Sequence, residues 1–238
     1  MEGFSVPAFA HACKSGKLPA MRLACAFVVA LSSALCAVAV AQSPHTREHR
    51  FSGAEHWANV FDDPARDAWQ KPHEVITALS PAPDSVVADV GSGTGYFAVR
   101  LAHFVPKGRV YGVDTEPDMV KYLEERAKRE GLPNLVSIAG HPGDASLPVK
   151  VDLVLMVDVY HHISAREGYF SRLRGSLKAG ARVAIIDFRL DAPSGPPRKE
   201  RIAPSQVKAE LARAGYALAK EYDFLPNQFF LVFELAKP

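Results

Sequence analysis

Cysteine is missing from most of this 238-residue chain. All three cysteines, Cys13, Cys25 and Cys36, lie within the first 41 residues. The sequence of residues 42–238 therefore excludes a disulfide, a thiolate nucleophile and a cysteine-based metal site. The histidine pair at 161 and 162 has no further metal-ligand side chain at suitable spacing on the same element, so we predict no metal.

Residues 42–238 also lack an excess of charge of either sign. They carry 25 basic and 25 acidic side chains, because the net charge of +2 comes from the first 41 residues. Binding to nucleic acid depends on clustered lysine and arginine, so we predict no nucleic-acid partner. The length suits one sizeable α/β domain. The sequence does not indicate an oligomeric state.

The N-terminal residues 1–41 have the pattern of a leader. Arg22 precedes an apolar stretch without charge at residues 23–41, which ends in Ala39-Val40-Ala41. A basic start, an apolar run and a small-x-small end are typical of a secretory signal peptide. We predict export, periplasmic or secreted, with cleavage after Ala41 and with Met21 as a plausible true start.

Two alternatives to export remain open. Residues 23–41 are slightly short of the roughly 20 residues of a membrane-spanning helix, yet an uncleaved anchor would leave the protein on a membrane. We expect membrane contact only through such a leader, if at all. The second alternative is a misassigned start codon in a cytoplasmic protein.

Short apolar runs and helix signals alternate after residue 72. The runs are bounded by glycine and proline, and Pro72, Pro117 and Pro204 suit the first turns of helices. We predict helices at residues 72–79, 95–105, 117–130, 165–177 and 204–214. We predict strands at residues 86–90, 109–113, 135–139, 151–157, 182–188, 216–224 and 228–234.

This alternation predicts an α/β fold. Strands that alternate with helices form a doubly wound, mostly parallel sheet of seven strands with helices on both faces. The last two strands are joined by the short turn 225–227, so they must run antiparallel.

A glycine-rich turn follows the first predicted strand, in Asp89-Val90-Gly91-Ser92-Gly93-Thr94-Gly95. Glycines at alternate positions let the backbone turn sharply and approach a ligand at the carboxyl edge of the sheet. The dinucleotide fingerprint needs a further small residue where Tyr96 stands. Asp89 suits a ligand with ammonium and sulfonium groups better than a pyrophosphate. We predict that Asp89, Gly91, Ser92, Gly93 and Gly95 bind a cofactor.

Two further acids follow the next two strands. Asp114, with Thr115 beside it, ends the second strand 19 residues after Gly95, where a carboxylate can accept hydrogen bonds from both ribose hydroxyls. Both NAD and S-adenosylmethionine (SAM) contain that ribose. Asp144 follows the third strand, where it is placed either to accept a hydrogen bond from an adenine amino group beside Ala145 or merely to form a turn.

The segment Asp158-Val159-Tyr160-His161-His162 leaves the fourth strand at the same edge. We expect Asp158, Tyr160 and the histidines near the reacting group. Histidine can act as a general base toward a hydroxyl or an amine, and His161 is our candidate. Alternatively, one histidine is buried in the core or bonds to the start of a helix.

These motifs, in this order, resemble those of class I SAM-dependent methyltransferases, especially the ubiquinone and menaquinone biosynthesis type. The resemblance covers about residues 70–236. It implies a seven-stranded Rossmann-like fold with an antiparallel last strand, SAM as cofactor and transfer of a methyl group. Asp89, the glycines, Asp114, Asp144 and Asp158 match the family's motifs.

The chain then divides into a leader (1–41), a lead-in with helices (42–79) and a SAM-binding methyltransferase domain (80–238). The absence of a large recognition domain before the sheet favours a small-molecule acceptor, and the lack of cysteine disfavours arsenic. Two rival functions remain, an exported SAM-binding module without catalysis and a NAD-dependent oxidoreductase. The segment Asp67–Pro72 either folds over the methionine end of the cofactor or packs through Trp69 on the sheet.

Overall fold

The computed structural model describes residues 53–237. The predicted leader 1–41, its cleavage after Ala41 and the beginning of the lead-in lie outside the described residues. Within residues 53–237 no helix is both long enough and apolar enough to span a membrane.

Among residues 53–237, three helices and a 3-10 turn precede the sheet. The helices are α1 (Ala54–Phe61), α2 (Asp67–Gln70) and α3 (Pro72–Leu79), and the 3-10 turn is Pro64–Arg66. Pro72 opens α3, as predicted, because proline lacks the N–H that the first helical turn would leave unbonded.

The alternation of strands and helices is confirmed. The strands are β1 (Val86–Val90), β2 (Arg109–Asp114), β3 (Leu135–Ala139), β4 (Val151–Val157), β5 (Leu177–Phe188), β6 (Tyr216–Tyr222) and β7 (Gln228–Leu235). The helices between them are α4 (Tyr96–Phe104), α5 (Pro117–Arg129), α6 (Arg166–Leu173) and α7 (Pro204–Arg213).

The seven strands form one sheet in the order β3-β2-β1-β4-β5-β7-β6. Strands β1 to β5 pair in parallel, whereas β7 pairs antiparallel with both β5 and β6. The predicted fold class is confirmed, including the antiparallel last strand. Residues on the two faces alternate, so α3, α4 and α5 cover one apolar cluster and α6 and α7 cover the other.

The predicted helix 165–177 is wrong at its C-terminal end. Helix α6 ends at Leu173, a 3-10 turn spans Arg174–Ser176, and Leu177 already belongs to β5. The spacing of Leu173 and Leu177 fits a helix, but Leu177 is buried and pairs with Val151 of β4. Gly180, predicted to stop the helix, lies within β5 at an irregularity of this pairing.

Candidate active site at the carboxyl edge of the sheet

The glycine loop joins β1 to α4 with three residues in the left-handed region. Gly91, Gly93 and Gly95 have φ angles of 72°, 53° and 98°. A Cβ on Gly91 would lie 2.2 Å from a methyl group of Val159, and one on Gly95 would lie 2.4 Å from Leu123. Both the backbone conformation and the space therefore require glycine at these two positions.

Three buried polar atoms of this loop region have no hydrogen-bond partner among the described residues. They are Oδ2 of Asp89, Oγ of Ser92 and Oγ1 of Thr94. Asp89 is only 3% exposed, and burial raises its pKa to about 7, against the lowering effect of the Arg66 charge. Because an unbonded buried polar group is costly, the three atoms mark a place where a polar ligand completes the structure.

Asp114 ties the loop to the end of β2. Its two carboxylate oxygens accept hydrogen bonds from the backbone N–H groups of Gly93 at 2.8 Å and Glu116 at 3.0 Å. Burial raises the pKa of Asp114, although these N–H groups and that of Thr115 oppose the rise. Thr115 itself is exposed. The predicted ribose acceptor thus also holds the glycine loop in place.

Asp144 lies in a tight turn after β3. The backbone groups of His141 and Asp144 bond to each other, and the Asp144 carboxylate accepts a hydrogen bond from the Ser146 N–H at 2.6 Å. Its side chain is exposed, whereas Ala145 beside it is buried. The turn is attached to the site because the Gly140 N–H donates to the Asp114 carbonyl at 2.9 Å. Asp144 therefore forms a turn, and its contact with an adenine amino group stays a prediction.

Asp158 follows β4 in a strained conformation. Its φ angle is 60°, a left-handed value that is unusual outside glycine, and its N–H donates to the Ile186 carbonyl at 2.9 Å. Burial and the nearby Asp187 raise the pKa of Asp158 to about 7, against the lowering effect of Arg66 and His161. Strain of this kind is characteristic of functional sites.

His161 is paired with an acid that the sequence analysis did not select. Its Nδ1 lies 2.9 Å from both carboxylate oxygens of Asp187, and its backbone N–H donates to the same carboxylate. His161 is 5% exposed and Asp187 is 1% exposed. No hydrogen bond within residues 53–237 involves Nε2 of His161, which leaves that nitrogen for a ligand.

The pKa of His161 is raised above its ordinary value. Burial by itself lowers this pKa, but the hydrogen bond and charge of Asp187 and the charges of Asp158 and Glu200 outweigh burial. Asp187 also accepts a hydrogen bond from the Phe188 N–H at 2.8 Å, which fixes the carboxylate at the end of β5.

Tyr160 does not lie at the site, contrary to the prediction. Its ring packs in the core beneath α6 and α7, and its hydroxyl donates to Glu210. Arg166 donates to the same carboxylate at 2.6 Å. The reason is the 3-10 turn Tyr160–His162, which directs Tyr160 into the sheet's second core while His161 meets Asp187. His162 is half-buried, with its ring centroid 4.0 Å from that of His161.

The segment before the sheet contributes a cation to this edge. Arg66 lies over the Tyr96 ring, with 4.1 Å from its Cζ to the ring centroid, and Arg100 lies at the same distance from that ring. The Tyr96 hydroxyl donates to Asp67. Trp69 packs on Phe188 with ring centroids 5.7 Å apart, so it packs at the end of β5.

Two clefts of the described surface lie away from the candidate site. Cavities of about 410 and 500 Å³ border α5, and none of the predicted site residues lines them. Nor does any cluster of three or more histidine, aspartate or glutamate side chains within residues 53–237 have a geometry suited to a metal ion. The candidate site is therefore defined by its converging polar groups.

A family model described as a methyltransferase domain matches residues 82–223, more than half of the chain. The chain belongs to this methyltransferase family. The match runs from the turn before β1 to the residue after β6 and so includes every predicted site residue.

Relatives of the methyltransferase act on varied acceptors. The trans-aconitate 2-methyltransferase of Afipia carboxidovorans is 25% identical over 167 residues, which are 70% of this chain and 62% of the relative. The protein-L-isoaspartate O-methyltransferase of Aeropyrum pernix is 36% identical over 75 residues, 31% of this chain and 29% of the relative. The chain spans less than two thirds of the length of each.

Solved structures share the fold of the methyltransferase. A SAM-dependent methyltransferase from Aquifex aeolicus superimposes with a TM-score of 0.71 at 25% identity, covering 77% of this chain and 99% of the other. The magnesium protoporphyrin IX methyltransferase of Synechocystis, solved with SAM, has a TM-score of 0.60 at 18% identity over 79% of this chain and 93% of the other, a likeness of fold alone. The chain thus shares its fold with SAM-dependent methyltransferases.

The methyltransferase has side chains that fit SAM. The unpartnered oxygen of buried Asp89 suits an ammonium group, and the hydroxyls of Ser92 and Thr94 suit a polar ligand over the glycine loop. The space above the loop is maintained by Gly91 and Gly95, where a Cβ would clash. These features support SAM over the rival NAD, since a pyrophosphate would be repelled by Asp89.

Proposed function

We propose that this methyltransferase methylates a hydroxyl or amine of a small molecule, with His161 as the general base. The observation that carries the proposal is the buried pair of His161 and Asp187 at the carboxyl edge, two residues beyond the Val159 side chain that borders Gly91. Asp187 fixes the ring and directs Nε2 to the acceptor. For an acceptor that is already an anion, His161 would orient it instead.

The cofactor roles follow from the positions of the acids. We assign Asp89 and Asp158 to the ammonium group of SAM, Asp114 with Thr115 to the ribose, and Asp144 with Ala145 to the adenine. When bound, SAM supplies a methyl group on a positively charged sulfur that is open to in-line attack. The chain supplies positioning and exclusion of water, with the glycine loop against the ligand.

The protonation of His161 sets a requirement for activity. A general base must be neutral before it accepts a proton, and Asp187, Asp158 and Glu200 favour the protonated imidazole. The proposed mechanism therefore gives a rate that rises with pH through a pKa above the ordinary histidine value. The proton removed from the acceptor resides on Nε2, and Asp187 stabilises the resulting imidazolium.

The small size of the acceptor is supported by two relatives. The curated names of relatives include trans-aconitate 2-methyltransferase and, from Halobacterium salinarum, arsenite methyltransferase. Trans-aconitate is an organic acid, and a small organic acceptor fits a site that consists of single side chains at one sheet edge. Arsenite is disfavoured because residues 42–238 contain no cysteine.

The experiment measures cofactor binding and turnover separately. Full-length protein is given SAM and a small-molecule extract of the native host, and release of S-adenosylhomocysteine (SAH) is measured together with the calorimetric Kd for SAH. We expect His161→Gln to lower turnover by about 10²–10⁴-fold with Kd little changed. His103→Gln, at an exposed histidine on α4, is the matched control and retains full turnover.

Two results would overturn this proposal. Wild-type protein that binds SAH but releases none in any fraction of the extract supports the SAM-binding module without catalysis. His161→Gln protein that keeps wild-type turnover with an identified O–H or N–H acceptor removes the general base from the mechanism.

We also propose that the protein is exported, with cleavage after Ala41. The support is the sequence of residues 1–41, with its basic start, apolar run and Ala39-Val40-Ala41 end. Mass spectrometry of the protein purified from its native host gives the N-terminus and the compartment together. A chain that starts at Gln42 outside the cytoplasm supports export. An intact chain in the membrane fraction supports the anchor 23–41, and an intact soluble chain in the cytoplasm contradicts both.

A further inference from the structure

A closed ring of four side chains links the segment before the sheet to the ends of β4 and β7. Arg66 donates from Nε and Nη2 to Oε1 of Gln70 at 3.3 and 3.2 Å. Gln70 donates to Gln228 at 2.6 Å, and Gln228 donates to Oδ1 of Asp158 at 2.5 Å. Nη2 of Arg66 lies 3.7 Å from Oδ2 of Asp158, which closes the ring.

The direction of every hydrogen bond in this ring is determined by Arg66. Arg66 has only donors, so Gln70 turns its oxygen toward Arg66 and its amide nitrogen toward Gln228. Gln228 in turn accepts with its oxygen and presents its amide nitrogen to Asp158. Gln70 and Gln228 are both completely buried. Buried amides with both groups bonded have a single arrangement, so they hold Arg66 and Asp158 at fixed positions.

The contact that closes the ring is the weakest of the four. Charge-assisted hydrogen bonds between arginine and carboxylate usually measure about 2.7–2.9 Å. Arg66 and Asp158, at 3.7 Å, face each other without such a bond, although both side chains are mostly buried. Arg66 and Asp158 thus lie side by side, and the facing atoms of both side chains have hydrogen-bonding capacity for a ligand.

This capacity lies beside the glycine loop, because the Arg66 guanidinium lies 4.1 Å from the ring centroid of Tyr96, the residue after Gly95. The positive charge of Arg66 lowers the pKa of both Asp89 and Asp158, so the guanidinium lies within electrostatic reach of both acids. Oδ2 of Asp89 has no partner among the described residues. Two carboxylates and one guanidinium therefore converge on one region, a complement to a group that carries both an ammonium and a carboxylate.

We propose that Arg66 binds the α-carboxylate of the methionine end of SAM and that Gln70 and Gln228 position Arg66 and Asp158 for this end of the cofactor. The proposal rests on the proposed SAM site. It adds a cation from the segment before the sheet and two positioning residues. One of them, Gln228, is supplied by the antiparallel strand β7.

The test compares two ligands that differ in the methionine end. SAH carries the amino and carboxylate groups, whereas 5′-methylthioadenosine has the same adenosine without them. Calorimetry on the full-length protein gives Kd for each. We expect Arg66→Gln to raise Kd for SAH at least tenfold and to change Kd for 5′-methylthioadenosine less than twofold. Gln228→Leu should follow the same pattern at roughly three- to tenfold.

Arg100→Gln is the matched control. Arg100 lies at the same distance from the Tyr96 ring as Arg66, but it pairs with Asp67 instead of Asp158. This variant should change neither Kd by more than twofold. Arg66→Lys keeps the charge but loses the planar fork, so it should weaken SAH binding less than Arg66→Gln does and should fold where Arg66→Gln fails to fold.

The outcomes separate this inference from the site on which it rests. Equal loss of affinity for both ligands in Arg66→Gln or Arg66→Lys would overturn the inference, because Arg66 would then only support the fold. Unchanged SAH affinity in both variants would overturn it as well. Wild-type protein that binds neither ligand would reject the proposed SAM site itself.

Discussion

At the scale of single residues, the site is built from acids that the fold holds in unfavourable surroundings. Asp89 is 3% exposed with one oxygen unbonded, and burial raises its pKa to about 7. A folded-state pKa above the unfolded value contributes stability that is complete at low pH. That contribution is lost as pH rises through the folded-state pKa. This carboxyl group therefore makes the cofactor-free protein less stable at pH 8 than at pH 4.

The first prediction is that Asp89→Asn stabilises the protein in the absence of cofactor. At pH 8 the gain in free energy of unfolding should be about 2 kcal/mol, since the amide avoids the buried charge. The gain should shrink as pH falls toward 5, where wild-type Asp89 is itself protonated. Urea denaturation at both pH values measures this, and SAH affinity should fall in the same variant. A destabilised variant at pH 8 would show that burial of the charge is not the dominant effect.

The second prediction concerns His161. The imidazole should titrate above the ordinary histidine pKa of about 6.5 because Asp187 faces Nδ1. Asp187→Asn removes the largest of the effects that raise the pKa, so the titration should move to lower pH. NMR of the histidine ring resonances against pH gives both values, with His161→Gln to assign the signal. An unchanged titration in Asp187→Asn would contradict the pairing.

Individual residues differ in how far the sequence predicts them. Asp114 and Asp158 are predictable because they follow predicted strands. Asp187 lies inside the predicted strand 182–188, one residue before the end of β5, and the apolar run around it gives no signal of a site. Arg66 and Gln228 give no local signal, since only the tertiary fold brings them within reach of Asp158.

At the scale of elements, the glycine loop requires glycine for two separate reasons, the backbone conformation and the lack of space for a side chain. Gly91 needs both a left-handed backbone and an absent side chain, because a Cβ would lie 2.2 Å from Val159. Gly131, after α5, has a similar φ angle of 65° but open space around it. A comparison of Gly91 with Gly131 therefore separates the cost of backbone strain from the cost of steric crowding.

The third prediction follows from this pair. Gly131→Ala should destabilise the protein by about 1 kcal/mol, the strain of the left-handed conformation alone. Gly91→Ala should cost roughly 2–4 kcal/mol, because overpacking adds to the strain, and should weaken SAH binding. Thermal unfolding of both variants checks the difference. Equal costs would mean that Val159 moves away without penalty.

Helices and strands are predictable where the spacing of apolar residues agrees with the positions of the flanking turn residues. Strands β1, β3 and β4 have the predicted bounds because each is a short apolar run with turn residues on both sides. The boundary between α6 and β5 was not predictable, since Leu177 satisfies a helical spacing and a strand pairing equally well. Its pairing with Val151 decides the outcome, and that contact is distant in sequence.

At the scale of the whole molecule, the described sheet has two unlike edges and a protected centre. Strands β1 and β4 have neighbours on both sides, whereas β3 and β6 each pair with one strand. Six of the seven residues of β6 are half-buried or exposed. Stability should therefore be distributed unevenly along the sheet.

The fourth prediction is a gradient of hydrogen exchange. Amides of β1 and β4 should exchange slowest and those of β6 fastest among the strands, as measured by mass spectrometry or NMR. Addition of SAH should slow exchange chiefly in the glycine loop and in Pro64–Gln70, where the polar ring meets the site. Uniform protection of all strands by SAH would mean that binding stabilises only the global fold.

The insertion of β7 between β5 and β6 has a consequence for biosynthesis. During translation, β1 to β5 and then β6 emerge while the place beside β5 is still vacant. Gln228, the first residue of β7, belongs to the polar ring that contains Arg66 and Asp158. A nascent chain that ends before residue 228 thus has its glycine loop but an unfinished ring, and the binding site matures only when nearly all of the sheet has been synthesised.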